Sequence, residues 1–97
     1  MSDKYILDGK VAVPCNALLA WGAWFETASR HVADTRKDGV RVSTVFLGLD
    51  HSFGGSVPLL FETMIFGGEH DQFQERYSTW DEAETGHKDA CTMAGIS

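Results

Sequence analysis

Residues 40–66 constrain the fold more than any other stretch. They read VRVSTVFLGLD, then HSFGGSV, then PLLFETMIF. In the first run Val40, Val42, Thr44 and Phe46 alternate with Arg41, Ser43, Val45 and Leu47. A period of two places each set on one face of a strand. In the second run Leu59, Phe61, Thr63 and Ile65 alternate with Leu60, Glu62, Met64 and Phe66. The β-branched and aromatic content suits a pleated surface, and Val and Thr crowd the preceding turn of a helix. The two runs therefore predict a hairpin with a tight polar connection. Neither face is wholly polar, so one is expected to be covered by the chain itself and the other to be open to a partner chain.

Such a hairpin needs a roof, and residues 16–34 offer one. Leu18, Trp21, Phe25, Ala28 and Val32 fall at spacings of three and four, with Trp24 widening the stripe. This predicts a helix that ends near Asp34-Thr35 before Lys37-Asp38-Gly39 turns into the central strands. Packed on the hairpin, Trp21 would be an anchor whose replacement by alanine costs about 3–5 kcal/mol. Upstream, residues 4–7 and 10–13 predict two short strands around Asp8-Gly9, closed by Pro14. Downstream, Gly67-Gly68 breaks the second run and residues 73–77 predict a further strand. Thr79 with Glu82 three residues on forms a capping box. It opens a helix with an inward stripe of Trp80, Ala83, His87, Ala90 and Ala94, and Cys91 beside it. Gly86 weakens the middle of that helix, Gly95 is a stop signal, and the last residues are expected to fray. The fold class is α+β: an antiparallel sheet in the order ββ-α-βββ-α with two helices on one face. At 97 residues the chain is expected to form a single domain over 1–97.

Charge is unevenly placed. The net charge is −6, with residues 1–48 at +1 and residues 49–97 at −7. An acidic surface argues against direct binding of phosphate backbones, which takes clustered Lys and Arg. It favours docking on a basic protein surface, including one that otherwise holds nucleic acid. No apolar run reaches the roughly 20 residues of a membrane span, and the N-terminus lacks the apolar core of a secretion signal. These features predict a cytoplasmic protein. Cys15 and Cys91 stand 76 positions apart without zinc-ligand spacing, so free thiols and no metal or other cofactor are expected.

Three constellations carry possible chemistry. Asp50-His51 and Glu69-His70-Asp71 lie at opposite ends of the hairpin, most of a strand length apart (roughly 17–20 Å). Metal ligands sit about 2 Å from their ion, so these two groups do not make one site. His87 and Cys91 share a helix face, but no third group orients them as a base and nucleophile. Glu62 stands among apolar neighbours and is expected to pair with Arg41 or Arg76 on a neighbouring strand. No phosphate loop, nucleophile elbow, zinc-protease or dinucleotide motif occurs.

Three segments carry a likeness: VSTVFLGLDH from Val42, LFETMIFGG from Leu60 and RYSTWDEAETGH from Arg76. With them the chain resembles a family of small uncharacterised proteins encoded by bacteriophages and prophages. The resemblance implies an accessory protein of a phage or mobile element and brings no catalytic residues with it. The expected function is non-enzymatic binding of a host or phage protein, in one form inhibition of a CRISPR-type host defence complex. Asp81, Glu82, Glu84, Glu69, Asp71 and Glu75 are the candidate partner-binding residues. The alternatives are a small hydrolase or metal enzyme using His51, His70 or His87, and a minor structural or host-takeover component. A homodimer through an unpaired sheet edge is also expected to be accessible.

Overall fold

In the computed structural model, which describes residues 3–96, the sheet is organised by one tight turn and one long one. Asp38 and Gly39 take positive φ of 52° and 82°, as a two-residue type I′ turn requires. They join β3 (His31–Lys37) to β4 (Val40–Phe46), with Lys37 opposite Val40 and Thr35 opposite Val42. β4 pairs antiparallel with β5 (Phe61–Phe66), placing Val42 opposite Ile65, Thr44 opposite Thr63 and Phe46 opposite Phe61. The connection between them spans residues 47–60 and is longer than the hydropathy pattern suggests. Asp50 closes it: one carboxylate oxygen accepts from the backbone N–H of Ser52 at 2.8 Å and of Leu59 at 3.0 Å. β6 (Gln74–Tyr77) completes a four-stranded sheet of order β3-β4-β5-β6. β1 (Tyr5–Asp8) and β2 (Val11–Pro14) form a separate two-stranded sheet.

The architecture is α+β with antiparallel sheets, as expected, but the first helix is shorter than its stripe implies. α1 (Leu18–Thr27) ends before Ala28, whose backbone is already extended. Residues 31–35, counted with that helix in the sequence reading, are strand. Val32 and Thr35 favour extended backbone, and the two-residue turn brings the segment straight into register with β4. The ladder satisfies more backbone groups than an uncapped helix end would. None of the residues of α1 is fully buried. It lies against β1, and Trp24 meets Phe46 edge-on at 5.8 Å between ring centroids. Trp21 is half-buried and ties two backbones together. Its indole Nε1 donates to the carbonyls of Tyr5 and Gly48, both at 3.1 Å. Its role is to hold the small sheet against the turn after β4, rather than to fill the core.

The roof over the large sheet is α2 (Trp80–Ala94). Its capping box forms as the Thr79/Glu82 spacing predicts: Thr79 Oγ1 accepts from the Glu82 N–H, and the Glu82 carboxylate accepts from the Thr79 N–H, both at 3.1 Å. Ala83, Gly86, His87, Ala90 and Cys91 face the sheet and are buried. Two apolar clusters result. One joins Val42, Ile65, Ala90, Cys91 and Ile96; the other joins Phe46, Leu60, Phe61, Tyr77 and Ala83. Ile96 is 6% exposed, so the residue beyond the helix packs into the core instead of standing in solvent. Gly95 takes the left-handed conformation at φ 76° and turns Ile96 back into the core. The opposite face of the sheet is crossed by ion pairs instead of a helix. Arg41 holds Asp34 at 2.8 Å, and Arg76 is the partner that Glu62 finds, at 2.9 Å.

Gly86 has a purpose that helix propensity alone hides. A Cβ at this position would overlap the hydroxyl, Cζ and Cε1 of Tyr77, so the missing side chain is what lets the ring lie under the helix. Gly86→Ala is therefore expected to destabilise by about 1–3 kcal/mol through overpacking, instead of gaining about 1 kcal/mol of helix propensity. In a Tyr77→Leu background that cost should vanish. Urea denaturation of the four proteins measures the coupling, and additive effects would disprove this account of the packing.

Candidate partner-binding cleft

The capping box starts α2 beside the end of β6, and this fixes which of its side chains look along the strand. Asp81, Glu82, Thr85, Gly86 and Asp89 follow one stripe of the helix. With Glu75 and Tyr77 of β6 they line an open cleft of about 400 Å³. Glu75, Asp81 and Asp89 take part in no ion pair among the described residues, where the salt bridges join other groups. The cleft is thus a set of carboxylates without a resident cation.

At its floor lies Tyr77, 9% exposed. Its hydroxyl is buried and makes no hydrogen bond of good geometry, although Thr63 and Glu75 approach it. Burial raises the phenol pKa. Thr63 opposes this, and the nearby charges of Glu75 and Asp89 add to it. The hydroxyl therefore stays protonated.

The six acids singled out in the sequence separate in space. Glu75, Asp81 and Glu82 line the cleft, but the Glu82 carboxylate is occupied by the backbone N–H groups of Ser78 and Thr79. Glu84 does not line the cleft. Glu69 lies at the far end of α2, in a depression shared with His70, Gly67 and Gly95. Asp71 serves the turn after β5, accepting from the Gly67 N–H at 2.7 Å. Sequence reasoning missed Asp89 and Tyr77. The spacing Asp81, Thr85, Asp89 is one side of a helix and would have revealed the first. Nothing local reveals the second, because its position depends on Gly86 across the groove.

The histidines do not converge. His51 sits in the loop after β4, and His70 in the turn before β6. His87 is 5% exposed beneath α2. No group of three His, Cys, Asp or Glu residues able to hold a metal ion occurs among the described residues. His87 does not bond Cys91. Its Nδ1 contacts Thr44 Oγ1 at 2.7 Å and its Nε2 contacts Thr35 Oγ1 at 2.9 Å, while Thr44 also bonds Thr63. Each hydroxyl can donate or accept, so the row Thr35–His87–Thr44–Thr63 satisfies the ring in either tautomer. Cys15 and Cys91 are free thiols. Asp50 is a loop-closing residue: burial raises its pKa, but the bonds from Ser52 and Leu59 outweigh this and hold it below the usual carboxylate range. No helix among the described residues is long and apolar enough to cross a membrane.

Burial lowers the pKa of His87, with Asp34 acting weakly the other way. The unfolded chain, with a histidine pKa near ~6.5, then binds the proton more readily than the folded one. The stability this group contributes is fully present above about pH 6.5. It falls as the pH drops from there toward the lower folded-state pKa. Thermal melts between pH 7.5 and 5 should show this loss in the native chain and a flatter profile in His87→Gln. Equal pH slopes would rule out His87 as its source.

No family model, curated sequence or solved structure matches this chain.

Proposed function

We propose that the chain is a non-enzymatic protein-binding module whose carboxylate cleft between β6 and α2 engages a basic surface of a partner. The observation that carries this reading is that Glu75, Asp81 and Asp89 line a single cleft without a compensating cation among the described residues. Like charges held together on a surface repel, and a cationic partner relieves that repulsion. A pair of opposite unit charges 4 Å apart is worth about 1 kcal/mol in bulk water and about 4 kcal/mol at the effective dielectric of a protein surface. Salt screens such contacts over about 8 Å at physiological ionic strength. Binding through the cleft is therefore steered by charge and sensitive to salt.

The resemblance to phage and prophage proteins supplies the biological form of the proposal. An accessory protein of that kind, acting in the cytoplasm of the host, finds basic surfaces on host complexes that hold nucleic acid, CRISPR-type defence effectors among them. An acidic module of this size seated on such a surface would compete with the nucleic acid without contacting it.

Charge reversal tests the reading at the residues that are free to take part. Tagged protein carrying Glu75→Lys, Asp81→Lys and Asp89→Lys should lose the partner that the native chain captures from phage-infected cells, or lose at least about tenfold in affinity for a purified effector complex. Glu82 is left intact, because reversing it would unseat the helix cap. Capture that is unchanged in the triple variant would disprove the proposal.

A further inference from the structure

The cleft adjoins a second feature, and together they indicate how a partner would sit. β6 is an edge strand, and no strand pairs with its outer side among the described residues. In an antiparallel ladder, alternate backbone N–H and C=O groups of such a strand point outward and are available to another chain. The pairing of β6 with β5 runs without a register shift, from Phe61 opposite Tyr77 to Met64 opposite Gln74, so the edge is a regular one. The other edge, β3, ends in Arg36-Lys37, which repel a basic segment, whereas β6 turns Glu75 toward the groove.

Side chains on neighbouring strands that share a face stand side by side. Glu75 and Tyr77 both point toward α2. A strand added beside β6 would send every second side chain into the same groove, toward Asp81, Thr85 and Asp89. Tyr77 forms the floor of that groove. Its ring fills the space beside Gly86, and its hydroxyl is shut off from solvent close to Thr63 and Glu75. A guanidinium carries five donors in a planar fork. It can bridge the carboxylates of Glu75 and Asp89, which the ammonium of lysine, a compact point charge, does less well.

We propose that the edge of β6 and the groove beneath α2 form one docking site for an extended, basic segment of a partner protein, which adds as a strand and sets arginines at alternate positions against Glu75 and Asp89. This rests on the protein-binding reading above and deepens it: the contact is a backbone ladder combined with arginine recognition, not a diffuse attraction between surfaces.

Fluorescence anisotropy with synthetic peptides of about ten residues separates the two levels. An alternating arginine–threonine peptide should bind the native chain at least about tenfold tighter than a peptide of the same composition with its arginines in one block. N-methylation of alternate backbone nitrogens should remove that advantage. Glu75→Gln with Asp89→Asn should weaken the alternating peptide by about tenfold or more. If the block and N-methylated peptides bind as tightly as the alternating one, strand addition is disproved while the acidic-surface reading stands. If no peptide binds, and Glu75→Lys, Asp81→Lys and Asp89→Lys leave capture of the cellular partner intact, both fail. Binding of the alternating peptide unchanged in Glu75→Gln with Asp89→Asn would place the segment elsewhere and overturn the site. A concentration-dependent increase in mass without peptide, abolished by the same pair of substitutions, would show the occupant to be a second copy of this chain and would likewise overturn the proposal.

Discussion

The close approach of α2 to the sheet is the constraint on which the remaining structure depends. A helix roofing a twisted sheet usually keeps its distance through large side chains. Here Ala83, Gly86 and Ala90 line the contact, and the bulk comes from the sheet: Phe46, Phe61, Ile65 and Tyr77. The arrangement places a tyrosine ring where a helix side chain would otherwise stand. It also leaves the charged flank of α2 close above the edge strand, which is how a few carboxylates come to share a groove. A helix with larger residues at these positions would lift away, and the groove would open into a plain surface.

Between the two apolar clusters runs a polar band. Thr44 and Thr63 lie opposite each other on β4 and β5, with Glu75 next in line on β6, and His87 reaches down to bond Thr44. Buried polar groups are costly unless they are satisfied, and here each finds its partner only in one register. A slip of one residue would turn Thr44 and Thr63 outward and carry Ser43 or Met64 under the helix. The band thus adds specificity more than stability, in a core whose adhesion comes from the aromatic and aliphatic clusters at either side.

How much of this was legible in the sequence depended on whether a signal was local. Alternation in residues 40–46 and 61–66 located the central strands and sorted their side chains into two faces, because period two is written residue by residue, but which face is buried is shown only by the fold. The Thr79–Glu82 spacing located the start of α2 for the same reason. β3 was obscured by a competing pattern: Leu18, Trp21, Phe25, Ala28 and Val32 keep helical spacing well past the point where the helix stops. No Gly or Pro marks the break at Ala28-Ser29. The Asp38-Gly39 turn was the better clue, since a two-residue turn needs a strand on each side of it. The cleft was half legible. The density of acids falls in the part of the chain that lines it, but only the fold shows that Glu82 is spent on the cap and Asp71 on a turn, and that Asp89 joins Glu75 and Asp81. Trp21, expected in the core, proved to be a tie between backbones, a role that hydropathy does not encode.

The unequal turns of the large sheet also have a kinetic consequence. Two residues separate β3 from β4, so that hairpin can close early and with little loss of chain entropy. β5 reaches β4 only after residues 47–60 have been gathered, and loop closure grows costlier with length. The Asp50 carboxylate, accepting from Ser52 and Leu59, ties the two ends of that segment together. By joining the ends of the long connection it acts as a clasp on the costlier closure, so the loop's own acid offsets part of the entropy that its length takes away.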